Sequence, residues 1–134
     1  MSIWYEGLEL GIAAIDEQHR ALLERMESFL EACIEGQASR DLSKILVFLD
    51  EWSRTHFQTE EELMQRYEYP SYQLHKKQHE IFLRNLELVK RNVLQNGGTA
   101  NTALQVSQML IDWFRDHILN VDRTAVDFLI PRIS

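Results

Sequence analysis

Cysteine is almost absent. Cys33 stands alone, so no disulfide can form within the chain, and a reducing compartment is expected. It follows Met26 by seven residues on one helical stripe and reads as a small core side chain. Glycine and proline are also scarce, five and two, and they fall where helices should end. Positive charge is short: 14 Lys and Arg against 21 Asp and Glu leave a net charge of −7. That sign argues against nucleic acid or an anionic membrane as the main partner. Nowhere do roughly 18 apolar residues run uninterrupted, as a membrane span requires. The first residues lack the basic-then-apolar layout of a signal peptide, so the cytoplasm is the expected location.

What is present is a chain of 134 residues, 45% hydrophobic, long enough to bury a core and too apolar to be disordered. It reads as one domain, 1–134, of all-α class. Apolar residues recur in threes and fours over four segments, approximately 16–36, 41–68, 71–96 and 102–129. The first stripe runs His19, Leu22, Leu23, Met26, Phe29, Leu30, Cys33 and stops at Gly36, with Asp16 as its expected cap. The second runs Leu42, Ile45, Leu49, Trp52, His56, Glu60, Leu63, Tyr67 and is broken by Tyr69-Pro70-Ser71. The third carries Tyr72, His75, His79, Phe82, Leu86, Val89, Val93 and ends at Asn96-Gly97-Gly98; the fourth carries Val106, Leu110, Trp113, His117, Val121. Short connections between long amphipathic helices predict an antiparallel, up-down-up-down four-helix bundle. Residues 1–15 are less regular and are expected to form an arm packed across it.

All five histidines lie on these core-facing stripes. One such histidine is ordinarily a hydrogen-bonded core residue; five of five, on all four helices, ask for another account. Glu60 occupies a stripe position where leucine belongs, with no Lys or Arg beside it on the stripe. A buried carboxylate must be neutralised, and a bound cation would do so. His56 with Glu60, and His75 with His79, are i,i+4 pairs that project from one helix face. Asp122 lies five residues after His117, a step of about 140° on an ideal helix. Spacing therefore leaves its place open, unless the helix is locally wound with i→i+5 bonds or ends there.

Ligand number points to two metals. A zinc site takes four protein ligands, or three when catalytic, and five imidazoles with one or two carboxylates exceed that. Two bridging carboxylates and an oxo or hydroxo bridge would saturate one metal that has three His. The other, with two His, would keep an open position for a small diatomic ligand.

Together the residues resemble the hemerythrin family over essentially the whole chain. The matching pieces are Trp4, Gly11-Ile12 and Ile15-Asp16-Glu17-Gln18-His19; His56-Phe57-Gln58-Thr59-Glu60-Glu61; His75-Lys76-Lys77-Gln78-His79; and Trp113 through His117-Ile118-Leu119-Asn120-Val121-Asp122. The resemblance implies two irons with an oxo or hydroxo bridge. His75, His79 and His117 would hold the saturated iron, His19 and His56 the open one, and Glu60 and Asp122 would bridge. It implies reversible, end-on binding of dioxygen, for carriage, storage or sensing; nitric oxide and other small anions or diatomics are further candidate ligands. Neutral imidazoles suit iron, whereas carboxylate-rich sites better stabilise the oxidation states that activate oxygen. An oxidant-handling enzyme (peroxidase or nitric oxide reductase) and an iron or redox homeostasis protein are the alternatives. By family position Leu22, Phe57, Trp113, Phe114 and Ile118 line the ligand pocket. Phe114 stands where leucine is usual. Without metal the bundle is expected to lose stability, most of all at low pH where the histidines charge.

Overall fold

The computed structural model describes residues 8–36 and 38–133, so Trp4 lies outside the described residues. Four helical rods form the molecule: α1 (Ala13–Ile34), α2 (Ala38–Arg66), α3 (Tyr72–Asn96) and a fourth rod in three pieces. These pieces are α4 (Ala100–Asp116), a π-helical turn (His117–Asp122) and α5 (Arg123–Leu129). No strand occurs among the described residues.

Side-chain contacts fix the directions of the rods. Arg25 of α1 meets Phe48 of α2, while the earlier Gln18 meets the later Thr59, so these rods run antiparallel. Lys90–Asp50 and His79–Glu61 set α3 against α2 in the same way. Phe82–Trp113 with Gln78–His117, and Cys33–Ser107 with His19–Asp122, do so for the fourth rod against α3 and α1. The result is an up-down-up-down, all-α four-helix bundle.

Two apolar clusters lie along the bundle axis. The larger joins Leu22, Leu23, Met26 and Phe29 to Leu42, Ile45, Leu49, Leu86, Val106 and Leu110. Each such side chain contributes about 1.5–3 kcal/mol when fully buried. The smaller cluster, Met64, Tyr69, Ala125 and Leu129, packs near the other end. On α2 and the fourth rod the buried histidines lie in sequence between most of the larger cluster and the smaller one. Cys33 packs against the larger cluster, its Sγ 3.7 Å from Ser107 Oγ.

Two details at the helix ends were not expected from the sequence. α1 begins at Ala13, so Asp16 sits inside it rather than capping it. Its carboxylate instead accepts the backbone N–H groups of Leu10 and Gly11, at 2.8 and 2.9 Å, and ties the incoming segment to the helix. Leu8 and Leu10 are buried there. Gly11 is required at this corner: its φ is +113°, and a Cβ would meet Ile130 Cδ1 at 3.0 Å. α2 stops before Pro70, because Glu68 takes a left-handed conformation with φ 54°. The N–H groups of Tyr69 and Glu68 then turn back to the carbonyls of Met64 and Gln65, a Schellman closure built without glycine.

The fourth rod starts where Thr99 Oγ1 accepts the N–H of Thr102. Near its far end the six residues His117–Asp122 adopt i→i+5 winding before α-helix resumes. Thr124 Oγ1 of α5 donates back to the Asn120 carbonyl of this turn, at 2.7 Å.

Candidate metal centre

Seven side chains from the four rods converge between the two apolar clusters: His19, His56, Glu60, His75, His79, His117 and Asp122. All are buried, none more than 3% exposed. They form two overlapping groups whose ligand-type atoms lie within 4.8 Å of one another. One group is His75, His79, His117, Glu60 and Asp122; the other is His19, His56, Glu60 and Asp122. The two carboxylates are common to both.

Asp122 divides its oxygens between the groups. Oδ1 lies 3.0 Å from His75 Nε2 and 2.9 Å from His117 Nε2. Oδ2 lies 2.9 Å from His19 Nε2 and 3.9 Å from His56 Nε2. The π-helical turn makes this reach available, because i→i+5 winding brings residues five apart onto one face. Glu60 Oε1 stands 3.1 Å from His56 Nε2, 3.3 Å from His79 Nε2 and 3.8 Å from His75 Nε2.

Whether these residues fit a metal can be judged from their pairing. Nε2 of His75, His79 and His117, Glu60 Oε1 and Asp122 Oδ1 are buried yet make no aligned hydrogen bond. All five belong to the group whose ligand-type atoms lie within 4.8 Å of one another. Buried polar atoms left this way are strongly unfavourable in an apolar interior, and a cation answers all of them at once. The nitrogen-rich donor set suits iron, copper or zinc rather than calcium or magnesium.

Outer contacts orient three of the rings. Thr59 gives its hydroxyl proton to the Thr55 carbonyl, so its oxygen must accept from Gln18 Nε2, at 3.0 Å. Gln18 Oε1 therefore faces His56 Nδ1, at 2.7 Å, and that nitrogen carries the proton. Nε2 of His56 is left facing the centre. Glu61 Oε2 accepts from His79 Nδ1 at 2.9 Å, and Gln78 Oε1 faces His117 Nδ1 at 3.3 Å. Trp52 donates from Nε1 to the Gln18 carbonyl, at 2.9 Å.

Charge is balanced inside the centre. Burial disfavours the charged form of His56 and His75, but the Glu60 and Asp122 carboxylates outweigh it and raise both rings to about 9. Burial pushes both carboxyls up, and Asp122 adds to that at Glu60. The facing imidazoles outweigh this and hold both below the usual carboxylate range.

Of the residues expected to wall a ligand pocket, Leu22, Phe57, Phe114 and Ile118 are buried and Trp113 is half-buried. Phe57 stacks flat on His79 with centroids 3.9 Å apart and sits 5.9 Å from His56. Trp113 stacks on His117 at 4.2 Å. Phe114 and Ile118 face a small cavity of about 40 Å³, shared with Leu8, Leu23, Met26, Ile111 and Arg115. The ring against His56 is Trp52, 4.6 Å away and nearly parallel, and Phe114 packs edge-on to it. Sequence reasoning left Trp52 as core, although it precedes His56 by four residues as Trp113 precedes His117. It quoted Gln18, Glu61 and Gln78 only as motif neighbours of site residues and gave them no role.

A helical bundle with buried histidines from every rod and buried carboxylates from two of them is a metal-binding class of protein. Residues 10–129 match the profile of the hemerythrin HHE cation binding domain, and the chain belongs to that family. It is 30% identical to a bacteriohemerythrin of Pseudomonas aeruginosa and 29% identical to one of Stenotrophomonas maltophilia. Each match covers 93% of this chain and 79% of the relative. A bacteriohemerythrin of Clostridium acetobutylicum is 28% identical over 95% of this chain and its own full length. No helix among the described residues is long and apolar enough to cross a membrane.

Proposed function

We propose that the chain is a di-iron protein that binds dioxygen reversibly, the chemistry shared by carriage, storage and sensing. The observation that carries this reading is the division of Asp122, one oxygen toward His75 and His117 and the other toward His19 and His56. Such a carboxylate suits a pair of ions. His75, His79 and His117 would hold one iron and His19 and His56 the other, with Glu60 as the second bridge. An oxo- or hydroxo-bridged iron pair supplies, when bound, the two electrons that reversible dioxygen binding requires.

The chain's own part is to orient and to exclude. Gln18 holds the His56 ring with its Nε2 lone pair inward, and Glu61 and Gln78 act likewise on His79 and His117. The two-histidine group keeps fewer protein donors and so leaves room for a small ligand. Phe57, Trp113, Phe114, Leu22 and Ile118, with Trp52, surround the centre with apolar surface that keeps water and protons away. Nitric oxide fits the same position. A cytoplasmic setting agrees with the single cysteine.

An optical spectrum of the reduced, iron-loaded protein before and after air tests this. A visible charge-transfer band that disappears on deoxygenation and returns supports reversible binding. Irreversible conversion with peroxide turnover supports an enzyme instead.

A further inference from the structure

The three oriented histidines do not receive the same kind of partner. His56 and His117 each donate to a neutral amide oxygen, of Gln18 and Gln78, at 2.7 and 3.3 Å. His79 donates to a carboxylate, Glu61 Oε2, at 2.9 Å. Nδ1 of His19 and of His75 has no partner among the described residues. One ring of five thus faces a full negative charge on its outer edge. Glu61 stands between α2 and α3 on a surface groove of about 410 Å³ that also takes in Arg54, Phe57 and Lys76. Its side chain is 23% exposed, whereas His79 is buried.

A carboxylate behind an imidazole draws the Nδ1 proton toward itself and makes the opposite nitrogen a stronger donor. A neutral amide does this much less, because hydrogen bonds to an ionised acceptor are about twice as strong. We propose that Glu61 is a positioning residue that acts through His79 to make the three-histidine half of the centre the more ferric-stabilising one. The inference rests on the di-iron reading above. Glu61 also links α2 to α3, so a purely structural tie between helices is the alternative, and the test must separate the two.

The discriminating measurement is the midpoint potential of the iron-loaded protein, with iron content measured alongside. Glu61→Gln keeps the acceptor and its shape but removes the charge. It should retain both irons and raise the potential, by about 59 mV if the preference for ferric over ferrous iron falls tenfold in a one-electron step. Gln78→Glu adds a charge behind His117 and should lower the potential. Should Glu61→Gln fail to hold iron, Gln78→Glu decides alone. Potentials unchanged from wild type, or moved the opposite way, overturn the proposal and leave Glu61 as a helix tie. A wild type that does not load two irons overturns the di-iron reading and this inference with it, an outcome distinct from unchanged potentials in loaded variants.

Discussion

Asp122 lies five residues after His117, yet Nε2 of one lies 2.9 Å from Oδ1 of the other. The π-helical turn that spans them is the reason. On an ideal α-helix the pair would stand about 140° apart. π-Turns are often found at functional sites, and here one delivers a fully buried carboxylate to four imidazoles.

Asp122→Asn keeps the shape of that side chain and removes its charge. The bound metal per chain should fall by half or more while the far-ultraviolet circular dichroism stays helical. Full metal occupancy in this variant would contradict a bridging role.

Metal uptake should release protons. In the chain by itself His56 and His75 titrate near 9, above the ordinary 6.5, because Glu60 and Asp122 outweigh the effect of burial. Both rings are therefore charged at neutral pH, and a metal must displace their protons to use Nε2. Uptake should strengthen as pH rises toward 9, with protons detected in a weakly buffered titration. The same shifts reverse part of the sequence expectation for stability. Raised histidine values mean that their contribution to the metal-free fold is complete below about 6.5 and is lost as pH rises through about 9. Loss at low pH belongs instead to Glu60 and Asp122, whose carboxyls are held below the ordinary range. The metal-free protein should accordingly melt lower at both extremes. Metal uptake that is independent of pH between 6 and 9 would contradict this charge assignment.

Glu68 closes α2 from a left-handed conformation, φ 54°, that disfavours any residue with a Cβ. Glu68→Gly should stabilise the fold by about 1 kcal/mol, a rise of roughly 3–5 °C in Tm. Thermal melting of the iron-loaded pair checks it, and a lower Tm would show that the Glu68 side chain contributes more than its backbone loses.

Phe114 is buried against Trp52, Phe82 and Trp113 and faces the small cavity beside Ile118. Phe114→Leu should enlarge that space and lower stability by about 1–2 kcal/mol, less than the 3–5 of a Phe→Ala truncation. If the ring walls the ligand pocket, stopped-flow mixing should show a changed dioxygen on-rate or autoxidation rate with iron content intact. Unchanged kinetics would assign Phe114 to ordinary core.

The parts of this architecture that repeat in threes and fours were legible in the sequence. His56 with Glu60 and His75 with His79 share a face by helix geometry alone, and the apolar stripes around them gave four helices. Spacing left Asp122 open, because an α-helix does not align i with i+5; its inclusion came from resemblance. Pro70 made the end of α2 legible to within two residues, but its left-handed closure was not, because such a closure usually announces itself with glycine and here uses Glu68. Asp16 looked like a cap because aspartate favours that position, whereas tertiary contact with the incoming segment put it to a different use. The outer partners Gln18, Glu61 and Gln78 were missed for a further reason. Each acts on a histidine from another helix, and that pairing exists only once the bundle is closed.

The most direct test of the account is the metal content of protein purified from cells, measured by elemental analysis against chain concentration. Two overlapping ligand groups sharing Glu60 and Asp122 predict close to two iron atoms per chain. A value near one, or zinc as the sole occupant, would contradict a di-iron centre.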